Sequence, residues 1–370
     1  MMTPHSGRLE RWLGKERLEQ IGQSTRGWYW KPIPLLDVPG AVAVSGDGDF
    51  VGTFERGSYY SAADALEDAL HKEATHWRAR HDRLTMMAGF TSISDALARA
   101  SGGNGQMRKF NKVGSTGVVG ATSSMWRSGL QPPAGATPGA APGGTAFTNA
   151  STGALGQANP VSGTLHLVGA DVSANVVNNS LLLYDLIFGC NKTMNSTATE
   201  AVTGVPTRYQ NGTATADDYI GGNFLFIQVG GTALAATAHN WTVCLYLDQA
   251  SASSTLPSLV GNSAAIVDRL DHPVQQWFAT LESGDVGIKA LTQMQASALV
   301  ATGVIWFMIG HPLGFMAFPV INSLFPFDWL TNRNQAPRVF DNACLAFLEP
   351  LKPATGATTY TGAVWLTSAA

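Results

Sequence analysis

Short apolar runs separated by turn residues fill the chain from Ser162 onward. Runs of this length, rich in β-branched and aromatic residues, are typical of strands. No helical pattern of ten or more residues interrupts them, which disfavours a βαβ fold. The pattern therefore predicts a mainly β protein, with an antiparallel β-sandwich or jelly-roll-like domain over residues 161–370. The nine runs are TLHLVGADV, LLLYDLIFGC, NFLFIQVGG, NWTVCLYLD, VQQWFATLE, VGIKALTQMQAS, TGVIWFMIGHPLGFMAF, ACLAFLEPL and TYTGAVWLTS.

The stretch Thr302–Trp329 is the most apolar part of the chain. It holds no Asp, Glu, Lys or Arg before Asp328 and is long enough to cross a bilayer. Its prolines and glycines, however, cut it into pieces of about seven residues, a length that suits buried strands. We predict two or three strands deep in the sandwich, with His311–Pro312 at a turn and Trp306 and Phe315 in the core. A membrane span is the alternative.

Two further regions precede the sandwich. Residues 1–105 predict a small helical or α+β region, because an amphipathic pattern begins near Arg8 and a longer one begins at Ser61. Residues 106–160 predict an extended arm or linker, because Gln131–Thr145 is uncharged and mostly Pro, Gly and Ala. Two hypotheses stay open for this stretch: a disordered linker, or an arm that is ordered only against a neighbouring subunit.

Charge is sparse and unevenly placed. Charged residues make up 13% of the chain, and after Phe110 fewer than one residue in ten is charged. Surfaces that partners cover lose charge in this way, and the net charge of −3 offers no basic footprint for nucleic acid. The N-terminus lacks the apolar segment of a signal peptide. Cys190, Cys244 and Cys344 lie inside apolar runs, which predicts buried free thiols and synthesis in a reducing compartment.

Histidines give the first candidates for a metal or catalytic site. His71, His76 and His81 recur every five residues on the predicted helix from Ser61. Zinc-binding helical pairs are spaced by four, and a spacing of five turns each ring away by about 140°. The remaining candidates have no acidic neighbour at ligand spacing; they are His166, His239, His272 and His311. We predict no metal ligands among them.

Acidic pairs are the second candidates. Asp47 and Asp49 lie in a Gly-Asp-Gly-Asp turn that lacks the further ligands of a calcium loop. Asp217–Asp218 also falls where a turn is expected, and Asp268–Asp271 forms the third acidic cluster. The sequence also has no Gly-x-Ser-x-Gly elbow and no phosphate-binding loop. We therefore predict no catalytic, cofactor-binding or metal-binding residues, no cofactor and no enzymatic activity.

Tryptophans lie within four of the predicted strands. Aromatic side chains on a strand either fill a core, where each buries about 150–250 Å², or form an exposed platform for a sugar. We predict that these rings belong to the core, with the sugar platform as the alternative. The residues are Trp241, Trp277, Trp306 and Trp365.

A resemblance to known proteins begins at Phe90. Phe90–Trp126 (FTSISDALARASGGNGQMRKFNKVGSTGVVGATSSMW) resembles the N-terminal part of virion proteins of tailed bacteriophages. Four later stretches are similar to the β modules of the same proteins: SGTLHLVGADV, LLLYDLIFGC, GDVGIKALTQMQAS and FDNACLAFLEPL. The resemblance implies a structural component of the head or neck without enzymatic activity, and it assigns no functional residues.

Several functional hypotheses follow. We expect a capsid cement, decoration or minor capsid protein that is synthesised in the host cytoplasm and located in the virion capsid. We expect it to bind the major capsid protein and copies of itself, for example as a trimer. We expect no nucleic-acid or membrane partner. Alternatives are a tail or baseplate protein that binds host glycans, the major capsid protein itself, and a hydrolase with a dispersed site.

Overall fold

The structure, a computed structural model, describes residues 90, 92–209, 222–242, 244–329 and 336–369. The predicted N-terminal helices, the histidines at 71, 76 and 81, and the acidic pairs 47/49 and 217/218 lie outside these residues. Within them the predicted mainly β, antiparallel fold is confirmed, and one of the sheets curls into a half-barrel. No helix in the described residues has the length and apolar character to cross a membrane.

Helix α1 spans Ile93–Ser101, and seventeen strands follow it within the described residues. Ser92 caps the helix, because its side chain accepts a hydrogen bond from the Asp95 amide. The strands are β1 Gly105–Val113, β2 Ser123–Ser124, β3 Thr145–Ala146, β4 Leu165–Ala174, β5 Asn179–Thr193, β6 Glu200–Ala201, β7 Phe224–Val229, β8 Asn240–Trp241, β9 Leu245–Asp248, β10 Ser253–Thr255, β11 Leu259–Val260, β12 Ile288–Met294, β13 Val304–Phe318, β14 Phe325–Asp328, β15 Arg338–Val339, β16 Leu345–Glu349 and β17 Thr359–Ser368.

Four sheets result, and every strand pairing within them is antiparallel. Sheet A has the order β1-β17-β4-β14, with β15 also on β4. Sheet B has the order β2-β16-β5-β13-β7, with β3 also on β5. Sheet C has the order β10-β9-β12-β6. The fourth sheet consists of β11 and β8 alone. Eight of the nine predicted runs contain a strand, whereas Val274–Glu282 contains none.

Two sandwich cores share sheet B. The first core joins sheets A and B, with side chains such as Val172 and Val364 from sheet A and Leu183 and Phe347 from sheet B. The second core joins the other half of sheet B to sheet C and contains Ile227, Phe307, Tyr246 and Leu291, among others. A third cluster around Trp126, Tyr184, Phe226 and Trp306 also includes residues of sheet B. The long strands β5 and β13 therefore contribute to more than one core.

Two β-bulges, one on each strand, interrupt the pairing of β5 with β13 between these cores. Ile187 of β5 has no partner between the pairs Phe188–Ile309 and Leu186–Gly310, and Leu313 of β13 is the extra residue on the other strand. A bulge of one residue exchanges the two faces of a strand, since side chains alternate with period two. Ile309 accordingly packs in the second core, and Met316 packs in the first.

The prediction of a turn at His311–Pro312 is wrong. Both residues lie in the middle of β13, opposite Asp185 and Tyr184 of β5. Proline is tolerated there because the pairing of β13 with its other neighbour, β7, ends at Gly310. No adjacent strand therefore needs a hydrogen bond from the backbone nitrogen of Pro312. The apparent breaker Gly310 serves close packing, since a Cβ there would lie 2.6 Å from Tyr184 Cδ2.

The predicted tryptophan core is confirmed in part. Trp241 and Trp306 are fully buried. Trp277 is half-buried in a segment without strand structure, and Trp365 is 39% exposed on β17. The core prediction is also wrong for Phe315, which is 37% exposed and packs against Trp277 at 5.4 Å between ring centroids.

The stretch Gln131–Thr145 is extended and irregular, as predicted, but it packs on its own chain. The Trp126 ring covers Gly135, and Phe188 covers Gly144. The Nζ of buried Lys112 donates hydrogen bonds to the carbonyls of Ser128 and Pro133. These contacts hold the stretch against its own chain, and an arm bound to a neighbouring subunit stays a prediction.

Candidate functional site

A buried ion pair lies at the centre of sheet B. Asp185 accepts hydrogen bonds from Arg208 Nε at 2.9 Å and Nη2 at 3.0 Å, and its Oδ1 also accepts from the Cys344 amide at 2.7 Å. Arg208 Nη2 donates further to the carbonyls of Phe147 and Leu186. Burial raises the pKa of the Asp185 carboxyl, and the Arg208 guanidinium opposes that rise. The bidentate geometry satisfies both charges away from water.

Beside this pair the Tyr209 ring stacks on His311, with centroids 3.8 Å apart and planes 1° apart. His311 Nδ1 lies 2.8 Å from Asn223 Oδ1, and the Asn223 amide nitrogen donates to the Arg208 carbonyl. This orientation of Asn223 leaves its oxygen as the acceptor, so Nδ1 of His311 carries the hydrogen. Burial lowers the pKa of His311 to about 3. The imidazole is therefore neutral at ordinary pH.

A second buried cluster centres on Asp271. Its Oδ2 accepts from His239 Nε2 and from Trp241 Nε1, each at 2.8 Å. Burial lowers the pKa of His239, but the hydrogen bond and charge of Asp271 outweigh this effect and raise the pKa above its ordinary value. His239 Nδ1 lies 3.2 Å from the Thr237 carbonyl. Both ring nitrogens are therefore occupied, and His239 has no free nitrogen with which to act as a base.

A third cluster surrounds Glu349, which is fully buried between sheets A and B. One carboxylate oxygen accepts from Asn179 at 2.8 Å and from the Tyr360 hydroxyl at 3.1 Å. The other oxygen accepts from Ser123 and from Lys352 Nζ, at 3.2 and 3.3 Å. Such a fully bonded carboxylate holds strands together and leaves no lone pair for a substrate.

These clusters show what sequence spacing missed. His239 and Asp271 are 32 residues apart, and Asp185 and Arg208 are 23 apart, so no local motif marks them. The described residues contain no group of three His, Cys, Asp or Glu side chains able to hold a metal ion. Cys190, Cys244 and Cys344 are buried free thiols, as predicted. Burial raises the pKa of Cys190 to about 11 and that of Cys244 to about 12.

Accessible features lie at the surface instead. Three loops that are hydrogen-bonded to one another carry five large aliphatic side chains, each 39–55% exposed. Gly120 joins the loops, because its amide donates to the Lys352 carbonyl and its carbonyl accepts from the Gln275 amide. We call this set the apolar patch; it consists of Val118, Val119, Ile266, Val274 and Leu351. Apolar clusters of this kind mark interaction surfaces.

The outer face of sheet A presents a different surface. Trp365 lies there with its Nε1 fixed by Asp171 Oδ2 at 2.7 Å. Met107 is its direct neighbour on β1, and Lys109 lies two residues further along the same face. An exposed, oriented indole beside polar groups can stack against a sugar ring or another flat apolar group.

A cleft of about 440 Å³ opens at the edge of sheet A. Its walls come from three segments, namely residues 107–109 of β1, residues 131–133, and residues 154–156. Arg108 and Lys109 supply positive charge, and Met107, the two prolines and Leu155 supply apolar surface.

Comparison with family models, curated proteins and solved structures finds no match to this chain.

Proposed function

We propose that this protein is a non-enzymatic structural component of a tailed-phage virion, a capsid cement, decoration or minor capsid protein. The observation that carries the proposal is the apolar patch, since it combines exposed Val119, Val274 and Leu351 on a sandwich that is poor in charge. Such a surface loses water when it meets a second copy or the major capsid protein. The resemblance from Phe90 onward agrees with this role.

Self-association tests the patch directly. The variants Val119→Asp and Val274→Asp place a charge in the patch, and we expect each to lower the sedimentation coefficient of the purified oligomer. Val260→Asp is the matched control, because Val260 is 59% exposed and lies on β11, outside the patch. Equal sedimentation of all variants would contradict a role of the patch in association.

Location in the particle tests the virion role. An electron cryomicroscopy map of the phage that carries this chain should place it on the capsid shell. Density in the tail tube or at a fibre tip would overturn the capsid assignment. The copy number per particle separates a cement protein from the major capsid protein, because the major subunit builds the whole shell.

Trp365 favours one second candidate, a tail or baseplate protein that binds host glycans. Its indole is exposed and held by Asp171, and aromatic platforms of this kind bind sugar faces. Retention on a column of host polysaccharide should then fall in Trp365→Ala and stay unchanged in Phe278→Ala, which removes an aromatic ring exposed elsewhere. Absence of retention for the unaltered protein would remove this candidate.

A further inference from the structure

Strand β1 has one free edge. It pairs with β17 on one side only, as the end strand of sheet A. At the other side Asn111 exchanges two backbone hydrogen bonds with Gln131, at 2.7 and 3.1 Å. Because backbone groups alternate between the two edges of a strand, Met107 and Lys109 point their N–H and C=O groups to the same side as Asn111. Within the described residues these groups have no backbone hydrogen bond.

Prolines explain why the chain does not pair further with this edge. Continuing the antiparallel register from Asn111–Gln131 would place residue 133 opposite Lys109. Pro133 has no N–H to donate to the Lys109 carbonyl, and Pro132 before it has none either. Pairing therefore ends after one residue pair, and the next part of the edge borders the cleft. Open edges of this kind accept a further strand.

The charges in the cleft are also unpaired. Arg108 Nη2 donates to Gln106 Oε1 at 2.8 Å, but its buried Nε has no acceptor. In the ranges that the structure describes, neither Arg108 nor Lys109 has a carboxylate oxygen within 4.0 Å. A guanidinium with a buried, unsatisfied N–H is matched by a carboxylate, which accepts at Nε and Nη together.

We propose that this cleft binds an extended acidic peptide segment of a partner protein by strand addition to β1. The segment's backbone bonds to the outward N–H and C=O groups of Met107 and Lys109. One of its carboxylates binds Arg108, and the next residue, which points to the opposite face, lies beside Lys109. The inference is independent of the virion role, because it concerns the edge of sheet A and not the apolar patch.

Fluorescence anisotropy with labelled peptides tests this proposal. The probe is a fluorescein-labelled Thr-Val-Glu-Glu-Val-Thr peptide with blocked termini, and its counterpart carries two lysines in place of the glutamates. We expect the acidic peptide to bind and the lysine peptide to fail. Arg108→Gln should weaken binding by about tenfold or more through loss of the charged hydrogen bonds. Lys109→Pro should do the same, because it removes an outward N–H and leaves the β1–β17 ladder intact.

Lys289→Gln is the matched control, since Lys289 lies on β12 of sheet C, and we expect wild-type affinity for it. Thermal melting of each variant separates loss of binding from loss of fold. Binding should also slow hydrogen exchange at the Met107 and Lys109 amides. Absence of binding up to about 1 mM peptide, equal binding of both peptides, or wild-type affinity in either cleft variant would overturn the proposal.

Discussion

His311 lies directly opposite Asp185 where β13 pairs with β5, and the Tyr209 side chain contacts both groups. Asp185 holds the guanidinium of Arg208, whereas His311 stacks on Tyr209 and bonds to Asn223. Burial raises the pKa of the Asp185 carboxyl while Arg208 opposes that rise, and burial keeps the His311 imidazole neutral. Arg208, Tyr209 and Asn223 therefore supply the partners of two buried titratable groups that face each other at the centre of sheet B.

Acid should weaken the protein through His311. Its pKa is about 3 in the folded state and about 6.5 in the unfolded state. Between these values the unfolded chain binds a proton that the folded chain does not, so the free energy of unfolding falls by about 1.4 kcal/mol per pH unit as the pH drops. Urea unfolding between about pH 4.5 and 6 should show a correspondingly shallower slope for His311→Gln.

Comparing His311→Gln with the unaltered protein isolates the effect of His311 on stability. Other titratable groups change the free energy of unfolding in the opposite direction. Burial raises the pKa of Asp268 to about 6, so the stability that Asp268 contributes is lost as the pH rises through that value. This contribution is common to both proteins and cancels in the difference. Identical slopes for His311→Gln and the unaltered protein would show that the imidazole is not kept neutral by burial.

Loss of Arg208 should be costly. Arg208→Met leaves the Asp185 carboxylate buried without its counterion, and breaking a buried pair in this way costs about 3–5 kcal/mol. Arg99→Met is the control, because Arg99 and Asp95 form an ion pair on helix α1 at the surface, worth about 0.5 kcal/mol or less. Denaturant unfolding measures both, and similar losses in the two variants would contradict the central role of the Asp185 pair.

Truncation of Trp306 should separate core from surface. Trp306→Ala removes a fully buried ring and should cost about 3–5 kcal/mol. Trp365→Ala removes an exposed ring, so we expect a loss below about 1 kcal/mol, the net worth of its hydrogen bond to Asp171. Chemical denaturation monitored by circular dichroism provides the two values. Tolerance of Trp306→Ala would place this ring at the surface.

The packing of the Pro/Gly-rich stretch can be tested with one methyl group. A Cβ at Gly135 would lie 2.1 Å from Trp126 Cε2, so Gly135→Ala should cost about 1–3 kcal/mol by overpacking. Gly143→Ala is the matched control, because no atom lies within 4 Å of its Cβ position. We expect that variant to change the melting temperature little. Equal effects would indicate that the stretch does not pack on Trp126.

Alternation and run length were enough to predict most strands. LLLYDLIFGC lies in β5 and TYTGAVWLTS lies in β17, because a strand buried on one or both faces shows directly as apolar residues. Pro312 and Gly310 were misinterpreted as breakers. Their tolerance depends on where β7 ends and on the ring of Tyr184, and neither is visible from neighbouring residues.

Exposure and partners were harder to predict than strands. Trp365 and Trp306 occur in similar apolar runs, but Trp365 lies on the outer face of an end sheet and Trp306 lies between layers. The pairing of Asp185 with Arg208 depends on how distant segments meet in space. The cleft was missed for the same reason, since its three walls lie up to 49 residues apart in the chain.

The bulges at Ile187 and Leu313 have a consequence for how the protein yields to force or denaturant. Because β5 and β13 run uninterrupted through both sandwich cores, neither core can lose its share of these strands without disturbing the other. Melting of the described β region should then occur as one cooperative event, without a half-open intermediate. A fold built in this way transmits a load along both strands and fails all at once.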